Sequence, residues 1–213
     1  KEHKLLCLPE ILAQHGYAAR GYFTGVKKEY AGKDQIFGNM DVGISGEEEM
    51  KEWITDAPKS WGFSDHQMFP ALWQIMQEQN ARPFFFMTST IDSHPPFNLS
   101  RDATPYGNGK NNVLNAFHST DDAIKTFWHS FLQSDFAKDT IVVFVADHAV
   151  FPAAEVKKLF PEDANALSYY DETIAMIYVP DSTLSQSVDM VSSGIDLTPT
   201  LLQILNINTA NSF

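Results

Sequence analysis

A single cysteine, Cys7, stands among 213 residues, so no internal disulfide framework can hold this chain together. Its apolar setting, KLLCLPEIL, reads as core, not as a nucleophile. Long apolar runs are also missing. No stretch reaches the roughly 18 to 20 residues that a membrane-spanning helix needs, and no secretory leader is legible at the start. Basic charge is scarce: 15 Lys and Arg face 27 Asp and Glu, for a formal net charge of -12. That balance excludes nucleic acid as a main partner, because phosphate backbones are bound by basic surfaces. A small anionic substrate stays open, since it needs only one local cation or metal. There is no internal repeat, low-complexity tract or dividing linker, so residues 1–213 read as one domain. No Gly-x-Ser-x-Gly elbow occurs, which removes the Ser-His-Asp hydrolases. GNGK at Gly107 to Lys110 is too short and wrongly placed for a nucleotide loop.

What is present alternates between two periodicities. Apolar runs at YAARGYFTG, RPFFFMTSTI, TIVVFVA and ETIAMIYVP read as strands. Their continuous apolar character predicts a sheet covered on both faces. Between them lie helical patterns. Pro9 to His15 is expected to end at Gly16. A helix HQMFPALWQIMQEQN is expected with Ser64 or Asp65 as its cap and Pro70 near its first turn. A long helix spans Val113 to Gln133. A closing helix, DLTPTLLQILNI, has Asp196 or Thr198 as candidate caps. GKDQIFGNMDVG reads as a loop or short helix, and SGEEEMKEWITDAPKS as a solvated helix followed by a loop. The polar stretch from Asp92 to Asn112 is long enough to suggest a functional loop.

Ligands of such sheets gather at the carboxyl ends of strands. Three polar groups fall there: Thr24-Gly25, Asp92-Ser93-His94 and Asp147-His148. A strand end aims adjacent side chains firmly. The oxygen and nitrogen donors of Asp147 and His148 suit zinc, manganese or iron better than calcium. The plainer alternative is a capping Asp beside a loop His. His94, in DSHPPF, could support a leaving group or an anionic oxygen, or be a surface histidine. Lys33 and Asp34, in YAGKDQIF, could form a phosphate contact and its orienting partner, or a solvated turn after Gly32. His66, His118 and His129 lie in helical patterns and read as structural or surface residues.

Taken together, LPEILAQHGYAARGYFTG, YAGKD, WGFSDHQMF, TSTIDSHPPF, DTIVVFVADHA and IDLTPTLLQILNI follow one another in the order and spacing of a known family. The chain resembles the sulfatase branch of the alkaline phosphatase superfamily, and most resembles lipoteichoic acid synthases and phosphoglycerol transferases. The resemblance implies a three-layer α/β/α sandwich with a mostly parallel mixed central sheet, incomplete on its N-terminal side. It implies that Asp147 and His148 bind a divalent ion, manganese first, with zinc or calcium as alternatives. It implies that His94 contacts the substrate or leaving group, and that Lys33, with Asp34 beside it, replaces a phosphate-binding Arg. Thr24 and Ala31 stand where the synthases carry a His and a Trp.

The family's nucleophile and first acidic ligand match no residue here. The resemblance therefore implies the C-terminal part of a longer, membrane-anchored, extracytoplasmic enzyme, inactive as this chain alone and with exposed apolar surface left in its sheet. The implied activity is metal-dependent transfer or hydrolysis of phosphoglycerol-type groups, with a lipid or glycan of the cell envelope as partner. Two alternatives are a sulfatase or phosphodiesterase, and a non-catalytic sensor domain.

Overall fold

The computed structural model describes residues 6–58, 62–80, 82–97, 99, 103–150, 154–159 and 172–209. Its architecture is α/β, with parallel strands flanked by helices. The described residues fall into two compact units. One holds the chain up to Asp92 together with residues from Val188 onward, and the other holds residues 93–99 and 103–187.

The first unit opens with helix α1 (Leu8–Gln14), in which Ile11 and Leu12 are buried. The helix closes at His15, and Gly16 follows at φ 89, the left-handed conformation that glycine adopts without a Cβ clash. Strand β1 (Ala19–Thr24) lies at the centre of a three-stranded sheet of order β2-β1-β3. β2 (Gly43–Ser45) pairs with it in parallel through Tyr22↔Ile44. β3 (Phe84–Ser89) pairs in parallel on the other side, from Ala19↔Phe84 to Thr24↔Ser89. Helix α2 (Lys33–Asn39) precedes β2, and the single turn α3 (Glu47–Met50) follows it. Helix α4 (Asp65–Glu78) buries Met68, Leu72, Ile75 and Met76 at helical spacing, the stripe that the sequence predicts.

Of the two caps expected for α4, Ser64 is the N-cap, and the Gln67 side chain accepts from the Ser64 backbone N–H at 3.0 Å. Asp65 is thereby released to point elsewhere. Pro70 lies inside α4, beyond its first turn. The closing helix, α7 (Gly194–Ile204), is capped by Ser193, whose backbone N–H donates to Asp196 at 2.7 Å. Asp196 thus closes a capping box from the third helical position, and neither it nor Thr198 is the cap.

The second unit is built on helix α5 (Asn112–Leu132), capped by the Asn111 side chain accepting from Leu114 N at 3.0 Å. Helix α6 (Ala154–Leu159) adds Val156 to a small core with Phe97, Val113 and Ala116. Strands β4 (Val142–Val145) and β5 (Ala175–Tyr178) pair antiparallel, from Val142↔Tyr178 to Val145↔Ala175. α5 meets this pair through aromatic rings. Trp128 stands edge-on to Phe144 and Tyr178, with centroids at 5.7 Å and 5.2 Å, and Phe131 stands edge-on to Tyr178 at 5.6 Å. The Tyr178 hydroxyl donates to the Ala137 carbonyl at 2.9 Å, so the ring's polar end is also satisfied.

The strands are less covered than their composition predicts. All six residues of β3 are only half-buried, and Val145 of β4 is 51% exposed. Among the described residues β3 pairs only with β1, and β4 only with β5. Each is therefore an edge, and apolar composition alone does not reveal which strand will lack a neighbour.

Candidate functional site

In the first unit the candidate site is the carboxyl edge of β1 and β3. Tyr22 is buried and Ser89 half-buried. Because Thr24 is paired with Ser89, Tyr22 is a diagonal neighbour of Ser89 on one sheet face, and an aromatic side chain spans that diagonal. The two hydroxyls lie 2.6 Å apart. α2 covers this face: Phe37 stacks on the Tyr22 ring, with centroids at 4.1 Å. Lys33, four residues before Phe37, shares its helix face. Its ammonium donates to Tyr22 Oη at 2.7 Å and to Ser89 Oγ at 3.4 Å. It also sits 5.3 Å from the Tyr22 ring centroid and 5.9 Å from that of Tyr30, within cation–π range.

Asp34 does not pair with Lys33. Its backbone N–H donates to the Lys28 carbonyl at 3.0 Å, and no carboxylate bonds Lys33 among the described residues. Thr24 is fully buried, so its side chain is part of the core. Ala31 is exposed at φ 55 in the turn before α2.

Below this edge, two stretches of backbone touch. Gly25 O accepts from Phe63 N at 2.8 Å. A Cβ on Gly25 would meet the Phe63 carbonyl oxygen at 2.2 Å, and one on Gly62 would meet Gly25 O at 2.3 Å. Asp65, 1% exposed, adds a second tie: its carboxylate accepts from Ile91 N at 2.8 Å and from Asp92 N at 3.3 Å. Asp92 returns the contact by accepting from Asp65 N at 3.2 Å. The start of α4 is thus bonded to the segment that leaves β3.

In the second unit, the β4–β5 ladder continues one bond past its last paired residues, with Ala146 N donating to Ile174 O at 3.2 Å. Asp147 is the next residue. It and His148 are both exposed, and His148 Nε2 lies 3.8 Å from Asp147 Oδ2. His148 Nδ1 is 2.7 Å from the Ala149 carbonyl. A carbonyl only accepts, so the proton of that bond belongs to Nδ1. His94 is likewise exposed, with Nδ1 2.6 Å from the Pro95 carbonyl. Among the described residues no group of three or more His, Cys, Asp or Glu could hold a metal ion. At the end of β4 the donors are therefore one carboxylate and one imidazole.

Sequence reasoning singles out Lys33, Asp34, His94, Asp147 and His148 as candidates, but not Tyr22 and Ser89, which lie beside Lys33. Their signal was positional, since each lies on the last turn of pleat of an apolar strand. Of the resemblance segments, Trp61 lies outside the described residues, as do 98 and 100–102 of the long loop.

The sulfatase family model matches residues 1–207. Phosphoglycerol transferase I of Escherichia coli (strain SMS-3-5 / SECEC) is 27% identical over 175 residues, covering 77% of this chain and 23% of that protein. The chain therefore spans about a quarter of that relative's length. Two solved structures share the fold. The lipoteichoic acid synthase LtaP from Listeria monocytogenes superposes with a TM-score of 0.83 at 18% identity, over 98% of this chain and 54% of its own. A protein in the alkaline phosphatase superfamily from Vibrio parahaemolyticus superposes with a TM-score of 0.78 at 22% identity, over 96% and 48%.

Proposed function

From the premise that the chain belongs to the sulfatase family, we propose that it contributes the metal pair and an anion contact to an enzyme that transfers or hydrolyses phosphoglycerol-type groups. The observation that carries this reading is the Asp147–His148 pair at the end of β4, carboxylate and Nε2 3.8 Å apart. The donor set fits a divalent ion of the manganese or zinc kind, and the Nδ1 bond to Ala149 is the outer-shell contact that orients a ligating imidazole. When bound, such an ion lowers the pKa of a hydroxyl and neutralises charge on a phosphoryl group.

The chain's own residues divide the remaining work. Lys33 meets phosphoryl oxygens with an ammonium that no carboxylate among the described residues bonds. Neutral His94, with its proton on Nδ1, offers Nε2 to a hydroxyl proton; in the protonated form it donates from Nε2 to a leaving oxygen. The nucleophile is assigned to no residue of this chain. The similarity to phosphoglycerol transferase I supports an extracytoplasmic setting with a phosphoglycerol lipid or glycan as substrate. Anchoring would come from other parts of the protein, since no helix among the described residues is long and apolar enough to cross a membrane.

The test is manganese affinity and glycerol phosphate release by the full-length protein that carries this chain. Asp147→Ala and His148→Ala should each abolish tight manganese binding and turnover. Lys33→Ala should keep the metal and lose about 100-fold in rate, the typical cost of one contact to developing charge. Manganese binding unchanged in both metal-pair variants would overturn the assignment of the pair. Turnover of sulfate esters alone would replace the phosphoryl reading with a sulfatase.

A further inference from the structure

We propose that Tyr22 and Ser89 belong to the anion subsite with Lys33, as a three-member cradle for one tetrahedral oxyanion. Tyr22 and Ser89 would hold the ammonium in place, and one of their hydroxyls would bind the ligand directly. This rests on the proposed role of Lys33 and extends it to two residues.

The argument is a count of protons. The three groups approach one another at 2.6 Å, 2.7 Å and 3.4 Å. An ammonium has three donors and no acceptor, and each hydroxyl has one donor, so the cluster holds five. The closed triangle uses three: Lys33 to Tyr22, Lys33 to Ser89, and one hydroxyl to the other. Two donors remain whichever hydroxyl gives its proton, one N–H on Lys33 and one O–H on Tyr22 or Ser89. Among the described residues both hydrogen-bond partners of the cation are hydroxyls, so neither cancels its charge. A carboxylate in place of either hydroxyl would have cancelled that charge and used its donors. One ammonium N–H and one neighbouring hydroxyl O–H match two oxygens of a phosphate or sulfate ester, and charge-assisted bonds to such oxygens are the strong kind. The cluster lies at the carboxyl edge of parallel strands, where α/β sheets take their ligands.

The ring of Tyr22 is fixed independently by its stack on Phe37 at 4.1 Å. Tyr22→Phe therefore deletes the hydroxyl and leaves the packing.

The experiment titrates the full-length protein, in EDTA to exclude metal-bound anion, with inorganic phosphate and with glycerol phosphate; melting temperature is followed in parallel. Lys33→Ala should abolish binding. Tyr22→Phe and Ser89→Ala should each weaken it about tenfold, the scale of one hydrogen bond to a charged group, with melting temperature unchanged. Ser89→Thr should restore it. Loss in Lys33→Ala with parental binding in both hydroxyl variants overturns the cradle and leaves Lys33 as a phosphate contact. Parental binding in Lys33→Ala, or no binding of either anion by the parent, overturns the cradle and the role of Lys33 together.

Discussion

Glu49 carries two contacts on one carboxylate. One oxygen accepts from the Gly46 backbone N–H at 3.0 Å, and the other accepts from Lys28 Nζ at 2.5 Å. The Lys28 hydrogen bond is the main reason the Glu49 carboxyl titrates below its usual range, and the same bond raises Lys28. The sign follows from linkage. Glu49 adds stability above its unfolded pKa of about 4.3, and this is lost as pH falls through its lower folded value. Lys28 adds stability below about 10.4, lost as pH rises through its higher folded value. Both side chains are more than a third exposed, so salt should weaken the pair. Thermal melts of the parent and Glu49→Gln should differ near neutral pH and converge in acid; a gap that persists at pH 2 would contradict this origin. Asp65 is the opposite case, a buried carboxylate bonded to backbone. Asp65→Ala would leave the N–H groups of Ile91 and Asp92 without this acceptor. A loss of about 2 to 3 kcal/mol is expected by urea unfolding, against a few tenths for an ordinary surface change.

Elements were legible where their pattern is local. The helical stripe of α4 and the long apolar face of α5 are sequence periodicities, and both helices form within a residue or two of expectation. β2 was missed because three residues beginning with Gly43 carry no periodicity, and their strand state exists only through pairing with β1. The antiparallel match of β4 with β5 was equally hidden, since register is a property of two distant segments. The crossing of the β1 exit with the α4 entry is another non-local feature, and Gly25 and Gly62 hint at it only in retrospect. Gly25→Ala would drive a methyl group into the Phe63 carbonyl oxygen. Neither backbone can rotate away as a side chain would, so about 3 kcal/mol of destabilisation is expected, at the upper end for overpacking. A variant with parental stability would mean that the two backbones separate easily.

Across the whole molecule, the family and α/β class were visible because six short segments keep their order over nearly the full chain. The candidate site is legible in its titratable residue types and silent in its hydroxyls. Lys33, His94, Asp147 and His148 announce themselves by type, while Tyr22 and Ser89 lie 11 and 56 positions from Lys33. One cation seated on two hydroxyls, in a chain of formal charge -12, also has a kinetic consequence. Far from the surface an arriving anion meets net repulsion, and only within a few ångströms does Lys33 prevail. Added salt cuts the far field first, because the screening length is about 10 Å at 0.1 M. Stopped-flow mixing with phosphate should therefore show arrival speeding up as salt is raised from low levels, the reverse of an enzyme that gathers its anions by a basic surface. Dilute buffers would then understate how fast phosphate reaches Lys33.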